Sequence, residues 1–257
     1  MLLLIDAGNT RIKWAVAAPA GNGRWLHHGA LGRGELGELP ALWSALGLTL
    51  SAACVSNVAG PVLRDDLEAA LRQAFGAGLD IEWFASSAQR AGLRNGYRNP
   101  CQLGSDRFAA AIGARAMFPG EELVVATCGT ATTIDAVSAE GVFEGGMILP
   151  GLGTMATSLA LNTAQLPQIG ELAPPARVFA DNTVDAIVSG CIAAQAGAIE
   201  HALAERRRQR PDRALRCVLA GGAGAVLAPH LATGAAPLEK VDNLVLAGLY
   251  AVMTHGG

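Results

Sequence analysis

Leu2-Leu-Leu-Ile-Asp-Ala-Gly-Asn-Thr-Arg-Ile-Lys-Trp-Ala-Val16 decides how the rest of the chain is read. Leu2 to Ile5 is an uninterrupted apolar run, the pattern of a strand buried on both faces, and Asp6 stands where that strand leaves the core. Ala7-Gly8-Asn9-Thr10 is turn chemistry, because Gly accepts positive φ without steric cost and Asn tolerates it. From Arg11 onward the apolar residues Ile12, Trp14 and Val16 alternate, so the stretch predicts a β-hairpin. Its turn would present the backbone N–H groups of Gly8 and Asn9, the Thr10 hydroxyl, the Lys13 ammonium and the Asp6 carboxylate. Successive turn amides form an anion-binding concavity, a Lys adds charge, and an Asp can hold Mg2+ directly or through water. That set suits a nucleotide phosphate. An ordinary hairpin uses the same Asp and Asn merely to stabilise its turn, and this stretch alone does not separate the two.

The pattern returns about 120 residues later, a spacing too long for a solenoid repeat and suited to two related halves. Leu123-Val-Val-Ala-Thr-Cys-Gly-Thr-Ala-Thr-Thr-Ile-Asp-Ala-Val137 is again an apolar strand, a Gly turn crowded with hydroxyls and a second strand. Laid over the N-terminus, Asp6 falls on Thr127 and Gly8 on Gly129. Two phosphate-embracing hairpins would then face each other across a cleft, with Thr130, Thr132 and Thr133 offering hydroxyls to a nucleotide. Taken alone, the second hairpin is equally a Thr-rich strand of good β-propensity.

Between and after the hairpins the periodicity alternates between strand and helix, the order of a mixed α/β sheet with helices packed on it. Helices are predicted at 39–46, 62–75, 108–117, 154–161, 184–204 and 243–253, and strands at 51–58, 81–84 and 217–220. The domain limits read as 1–117 and 118–257, with the last helix able to pack back on the first half. Residues 92–100 are too polar and turn-rich for a core element. Ser105 or Asp106 sits where an N-cap of the next helix would; a second reading makes Asp106 a general base and Arg107 an anion clamp, at a helix start whose dipole favours negative charge. Asp181-Asn-Thr183 can cap the long, small-residue helix that follows. The arginine-rich run 205–211 reads as a solvated helix end, where cations complement the dipole.

Composition narrows the classes. The chain has 257 residues, 51% of them hydrophobic and only 16% charged, with 32 Gly, which fits a compact α/β protein with many tight turns. A net charge of −3 gives no electrostatic footprint for nucleic acid. The N-terminal apolar run is too short for a signal peptide or a membrane span, so a cytoplasmic protein without a membrane partner is expected. Five scattered cysteines without a CxxC pair predict reduced, mostly buried thiols, and the five His show no zinc-ligand spacing.

Assembled in order, these motifs resemble the type III pantothenate kinases, including members first described as Bvg accessory factors, from end to end. The carrying residues are Asp6-Ala-Gly-Asn-Thr-Arg-Ile-Lys13, Asn95-Gly-Tyr97 with Pro100, Gly104-Ser-Asp-Arg107, Gly129-Thr-Ala-Thr-Thr133, Gly145-Gly146 with Pro150-Gly151, Asn182-Thr183 with Ala186 and Gly190, and Gly221-Gly222. The resemblance implies the actin-like ATPase fold of acetate and sugar kinases, Hsp70 and actin, with two ribonuclease-H-like domains and a nucleotide cleft between them. It implies a homodimer that uses ATP and Mg2+ to phosphorylate pantothenate, the first step of coenzyme A biosynthesis. Carried over by motif, Asp6, Ala7, Gly8, Asn9, Thr10, Arg11, Ile12, Lys13 and Thr130 would bind ATP, with Asp6 holding Mg2+ through the phosphates. Tyr97, Gly104, Ser105, Asp106 and Arg107 would bind pantothenate, Asp106 would accept its hydroxyl proton, and Thr183 would reach it from the partner subunit. The family commonly has Asp at the position of Thr127, where it holds a monovalent cation, K+ or NH4+. That carboxylate is missing here, so weak K+ activation is expected. The alternatives are a kinase of another small hydroxyl substrate on the same fold, and a non-catalytic accessory or regulatory protein that keeps the fold without the chemistry.

Overall fold

The computed structural model describes residues 1–21, 23–170, 173–175 and 177–255. The chain divides into two compact units: Met1–Pro119 with Gly141–Phe143 and the C-terminal stretch from Asn243, and Gly120–Glu140 with Glu144–Asp242.

The first unit begins with the predicted hairpin. Strand β1 (Leu2–Ala7) pairs antiparallel with β2 (Arg11–Ala17), so that Asp6 lies opposite Lys13. The Leu2–Ile5 run is buried on both faces, as its lack of alternation predicts. β3 (Trp25–Gly32) continues the meander, antiparallel to β2. Helix α1 (Leu39–Ala45), β4 (Ala52–Asn57), helix α2 (Pro61–Phe75) and β5 (Asp80–Phe84) complete a five-stranded sheet of order β3-β2-β1-β4-β5, with β1, β4 and β5 parallel. Helix α2 starts with Pro61 at its first position and ends at Gly76, whose φ of 87° only Gly takes freely.

The polar stretch after β5 is more ordered than its composition suggests. β6 (Gln89–Arg90) and β7 (Leu93–Asn95) form a small hairpin, and β7 also pairs in parallel with Val142 and Phe143. Leu93 and Asn95 are buried between exposed neighbours, a period-two pattern too short to stand out in the sequence. Helix α3 (Ser105–Met117) follows.

The second unit repeats the first. β8 (Glu122–Cys128) and β9 (Ala131–Val137) form an antiparallel hairpin, and β10 (Val142–Pro150) lies beyond β9. Helices α4 (Leu152–Asn162) and α5 (Thr183–Gln209) precede β11 (Leu215–Ala220), which pairs in parallel with β8. A short helix α6 (Gly224–Leu227) leads to β12 (Leu238–Lys240), parallel to β11. The order β10-β9-β8-β11-β12 matches β3-β2-β1-β4-β5 strand for strand. The hairpin turns differ by one residue, since Ala7 pairs with Ile12 whereas Cys128 pairs with Thr132.

Helix α5 is the one described helix long and apolar enough to cross a membrane, and half of its apolar window is buried as a core helix. Its N-cap is Asn182, whose side chain accepts the Asp185 N–H at 3.0 Å, as expected. The arginine run at its far end is not simply solvated. Arg206 is only 3% exposed and bridges Glu122, 1% exposed, and Glu144 at 2.5 Å, because it lies on the face of α5 that packs over the start of β8 while its neighbours Ala204 and Arg208 face outward. Such a pair, once buried, cannot lose one partner cheaply. Arg208, in contrast, is exposed and pairs with Glu205.

The last helix, α7 (Leu244–Thr254), belongs to the first unit and crosses α3 at backbone distance. A Cβ on Gly248 would lie 1.7 Å from the Ala109 carbonyl oxygen, and one on Gly113 would lie 2.7 Å from the Leu244 carbonyl oxygen. Four cysteines are buried and Cys101 is exposed, all of them free.

Candidate active site

In the first unit the sequence-predicted residues converge at the carboxyl ends of β1 and β4 and the start of α3. Asp6 ends the buried run of β1; burial first, then the charge of Asp106, push its carboxyl up to about 6 against the opposing pull of Lys13. The Asp106 carboxyl is raised as well, chiefly by burial, while the Arg107 backbone N–H and guanidinium hold it down. Two half-buried carboxylates thus share one neighbourhood with a single lysine, an arrangement that disfavours both charges in the absence of a cation.

Neither Ser105 nor Asp106 caps α3. The N-cap is Gly104, and Asp106 lies in the first turn with Oδ1 accepting its neighbour Arg107's N–H at 2.8 Å. A Cβ on Gly104 would come within 2.7 Å of that oxygen, so the carboxylate would have to turn aside to admit one. The Ser105 hydroxyl instead shares a 2.9 Å hydrogen bond with Ser56, a buried residue of β4 that lies beside Asp6 in the parallel register. Ser56 therefore links the strand end that carries one carboxylate to the helix that carries the other, a role that no local pattern announces.

Arg107 is buried and donates to the Tyr97 phenol oxygen at 2.8 Å. Its guanidinium also lies 5.7 Å from the Tyr97 ring centroid and 5.6 Å from that of Phe143, two rings packed edge to face. Asn95 sets this corner: its amide donates to the Pro100 carbonyl at 3.1 Å and its oxygen accepts the Tyr97 N–H at 3.0 Å. That is the physical content of the Asn95-Gly-Tyr97 and Pro100 pattern. No local pattern in the sequence marks Phe143, since only the pairing of β7 with Phe143 brings it here.

The first hairpin turn departs from expectation in one respect. The Gly8 N–H is spent on the Arg11 carbonyl at 3.0 Å, so it closes the turn rather than facing a phosphate. The Asn9 backbone, the Thr10 hydroxyl and Lys13 are the remaining polar groups of the predicted set, with Asn9 and Thr10 exposed. In the second unit the Gly129 N–H likewise closes onto Ala131. Thr130 tops that turn beside a hollow of about 470 Å3, lined by Gly129, Thr154, Thr157 and Ser158 among others. Thr183, the first residue of α5, borders a larger groove of about 870 Å3 with Pro150, Asn182 and Gly190. Thr127 faces Thr133 across the hairpin, so this position carries a hydroxyl and no carboxylate.

Duplicated five-stranded units, each opening on a glycine-turn hairpin, define an actin-like ATPase fold. In agreement, the glucokinase structure from an Antarctic psychrotroph superposes with a TM-score of 0.53 over 99% of both chains at 11% identity, a likeness of fold alone. The sequence pattern of the type III pantothenate kinases matches residues 2–205. Proteins called type III pantothenate kinase are 56% identical in Janthinobacterium sp. (strain Marseille), over 98% of this chain and 97% of that one, and 54% identical in Herminiimonas arsenicoxydans, over 99% and 98%. The chain belongs to the type III pantothenate kinase family, and it is a phosphotransferase.

Proposed function

We propose that this chain transfers the γ-phosphoryl group of ATP to the hydroxyl of pantothenate, giving 4'-phosphopantothenate for coenzyme A biosynthesis, with Asp106 taking the hydroxyl proton. Family membership supports the reaction, and the placement of Asp106 beside Asp6 supports the role: a carboxylate held by the Arg107 N–H can align an attacking oxygen without itself moving. Phosphoryl transfer asks mostly for positioning and charge neutralisation. Residues 6–13 and Thr130 would hold the nucleotide, Lys13 against its phosphates. Tyr97 and Gly104 to Arg107 would hold pantothenate, the boxed Arg107 guanidinium facing its carboxylate.

Mg2+ fits this site. Asp6 carries a charge that burial and Asp106 both disfavour, and a divalent cation relieves that combination. Mg2+ bound with the nucleotide neutralises phosphate charge, and Asp6 would hold it through the phosphates. A K+ or NH4+ ion fits less well, since Thr127 supplies a hydroxyl and no carboxylate.

A homodimer in which Thr183 reaches the partner's pantothenate is part of the same reading. Its support is the apolar surface near Thr183: Phe179 is 93% exposed, and Val184 and Leu159, which lines the same groove, are exposed too. The experiment that tests the chemistry is pantothenate-dependent ATP turnover by the wild type and Asp106→Asn. Loss of a general base lowers kcat by roughly 10²–10⁴-fold. A variant that turns over at the wild-type rate would remove Asp106 from this role.

A further inference from the structure

We infer that Gln195 is a positioning residue for the nucleotide hairpin, its side-chain amide holding the Thr130 turn in place from two sides. The inference rests on the reading that Thr130 contacts ATP.

Gln195 sits in the middle of α5, a helix otherwise built there of small and apolar residues, and it is fully buried. A buried primary amide offers one acceptor oxygen and two donor hydrogens, and any left unpaired is costly. Here each has a partner. The oxygen accepts the Thr132 hydroxyl at 2.6 Å, and the nitrogen donates to the Pro150 carbonyl at 2.5 Å and lies 3.5 Å from the Met155 sulfur.

Both strong partners lead to Thr130. Thr132, itself fully buried, lies two residues along the same hairpin. The Pro150 carbonyl belongs to the peptide whose N–H, on Gly151, donates to the Thr130 carbonyl at 2.9 Å. One peptide plane is thus gripped by Gln195 at its oxygen and grips the turn with its nitrogen. The Thr154 hydroxyl adds a 2.7 Å bond to the same Thr130 carbonyl. The plane is pressed against the turn as well, since a Cβ on Gly151 would lie 2.0 Å from the Gly129 carbonyl oxygen. A catalytic loop held this way cannot drift, and drift of about 1 Å at a reacting group costs about a hundredfold in rate.

The test compares wild type, Gln195→Met, Gln195→Glu and Thr130→Ala. The readouts are KM for ATP and for pantothenate, and ATP affinity by calorimetry. Gln195→Met keeps the volume and removes both strong bonds; it is expected to weaken ATP binding about tenfold or more while moving the pantothenate KM less than about twofold. Gln195→Glu is the rescue. A buried carboxyl that keeps its proton can donate to Pro150 as the amide does, so ATP affinity at about pH 6 is expected near wild type. If Thr130→Ala leaves ATP affinity unchanged, the assignment of Thr130 fails and the inference with it. If Thr130→Ala weakens ATP but Gln195→Met does not, or if Gln195→Met weakens both substrates equally, the assignment of Thr130 stands and the positioning role is overturned. Should Gln195→Met not fold, Thr132→Val carries the same comparison.

Discussion

Arg107 donates a 2.8 Å hydrogen bond to the hydroxyl of Tyr97 while its guanidinium lies 5.7 Å from the centroid of the same ring. Only a planar, forked cation satisfies both contacts at once, so Arg107→Lys is not a conservative change. The expected result is a pantothenate KM raised about tenfold or more, with the KM for ATP unmoved. Tyr97→Phe keeps the ring and loses the bond, and should cost only about fivefold, near 1 kcal/mol. Steady-state kinetics with each substrate varied in turn checks both.

Asp6 gives the enzyme an acid limb. Its carboxyl is raised from the ordinary range to about 6, by burial before the Asp106 charge, so kcat/KM, which reports the free enzyme, should fall as pH drops through about 6 and Asp6 takes up a proton. The stability sign is the opposite of the usual carboxylate. A group that holds its proton more tightly when folded favours the folded state at low pH, and that contribution is lost as pH rises from about 4 to about 6. Above that, ionised Asp6 is a constant cost of at most about 3 kcal/mol. Asp6→Asn should therefore melt higher than wild type at pH 8, by a margin that vanishes near pH 4, and turn over far more slowly. Thermal unfolding across pH together with the turnover assay tests the pair of effects; a lower melting point at pH 8 would sink the argument.

Thr127 predicts weak dependence on monovalent cations. It faces Thr133, whose buried hydroxyl has no hydrogen-bond partner, and neither carries charge. Turnover measured in K+ and in a bulky organic cation at equal ionic strength should agree within about twofold, since no strong charge interaction is present to hold the ion. Strong, saturable stimulation by K+ would contradict this.

Gly248 secures the helix that carries Asp106. Its Cα packs against the Ala109 backbone of α3, and an added methyl would fall 1.7 Å from the carbonyl oxygen there. Backbone cannot yield as a flexible side chain does, so Gly248→Ala should destabilise the protein by on the order of 3 kcal/mol. The denaturant midpoint measures it. An unchanged midpoint would show that α3 and α7 can separate without loss.

Much of the site was legible in the sequence, because its signals are local. The two hairpins were readable from an apolar run, a Gly turn and alternation, all carried by neighbouring residues. The Asn182 cap was readable as turn chemistry ahead of a helix. Order along the chain then tied these pieces to one family. Other expectations met a competing long-range partner. The Gly8 N–H was expected at a phosphate and closes its own turn, Ser105 or Asp106 was expected to cap α3 where Gly104 does and Ser105 bonds Ser56, and Arg206 was expected in water and bridges Glu122 and Glu144.

The sequence by itself determined the duplicated α/β organisation, the two glycine turns and the acidic start of α3, since backbone propensity and side-chain periodicity act over a few residues. Tertiary structure alone decided that Phe143 and Tyr97 box Arg107 and that Gln195 reaches both Thr132 and Pro150. It also decided the charge balance at Asp6, whose carboxyl answers first to its burial and then to Asp106, a hundred residues away. Burial and pairing are properties of residues brought together by the sheet, and spacing along the chain does not encode them.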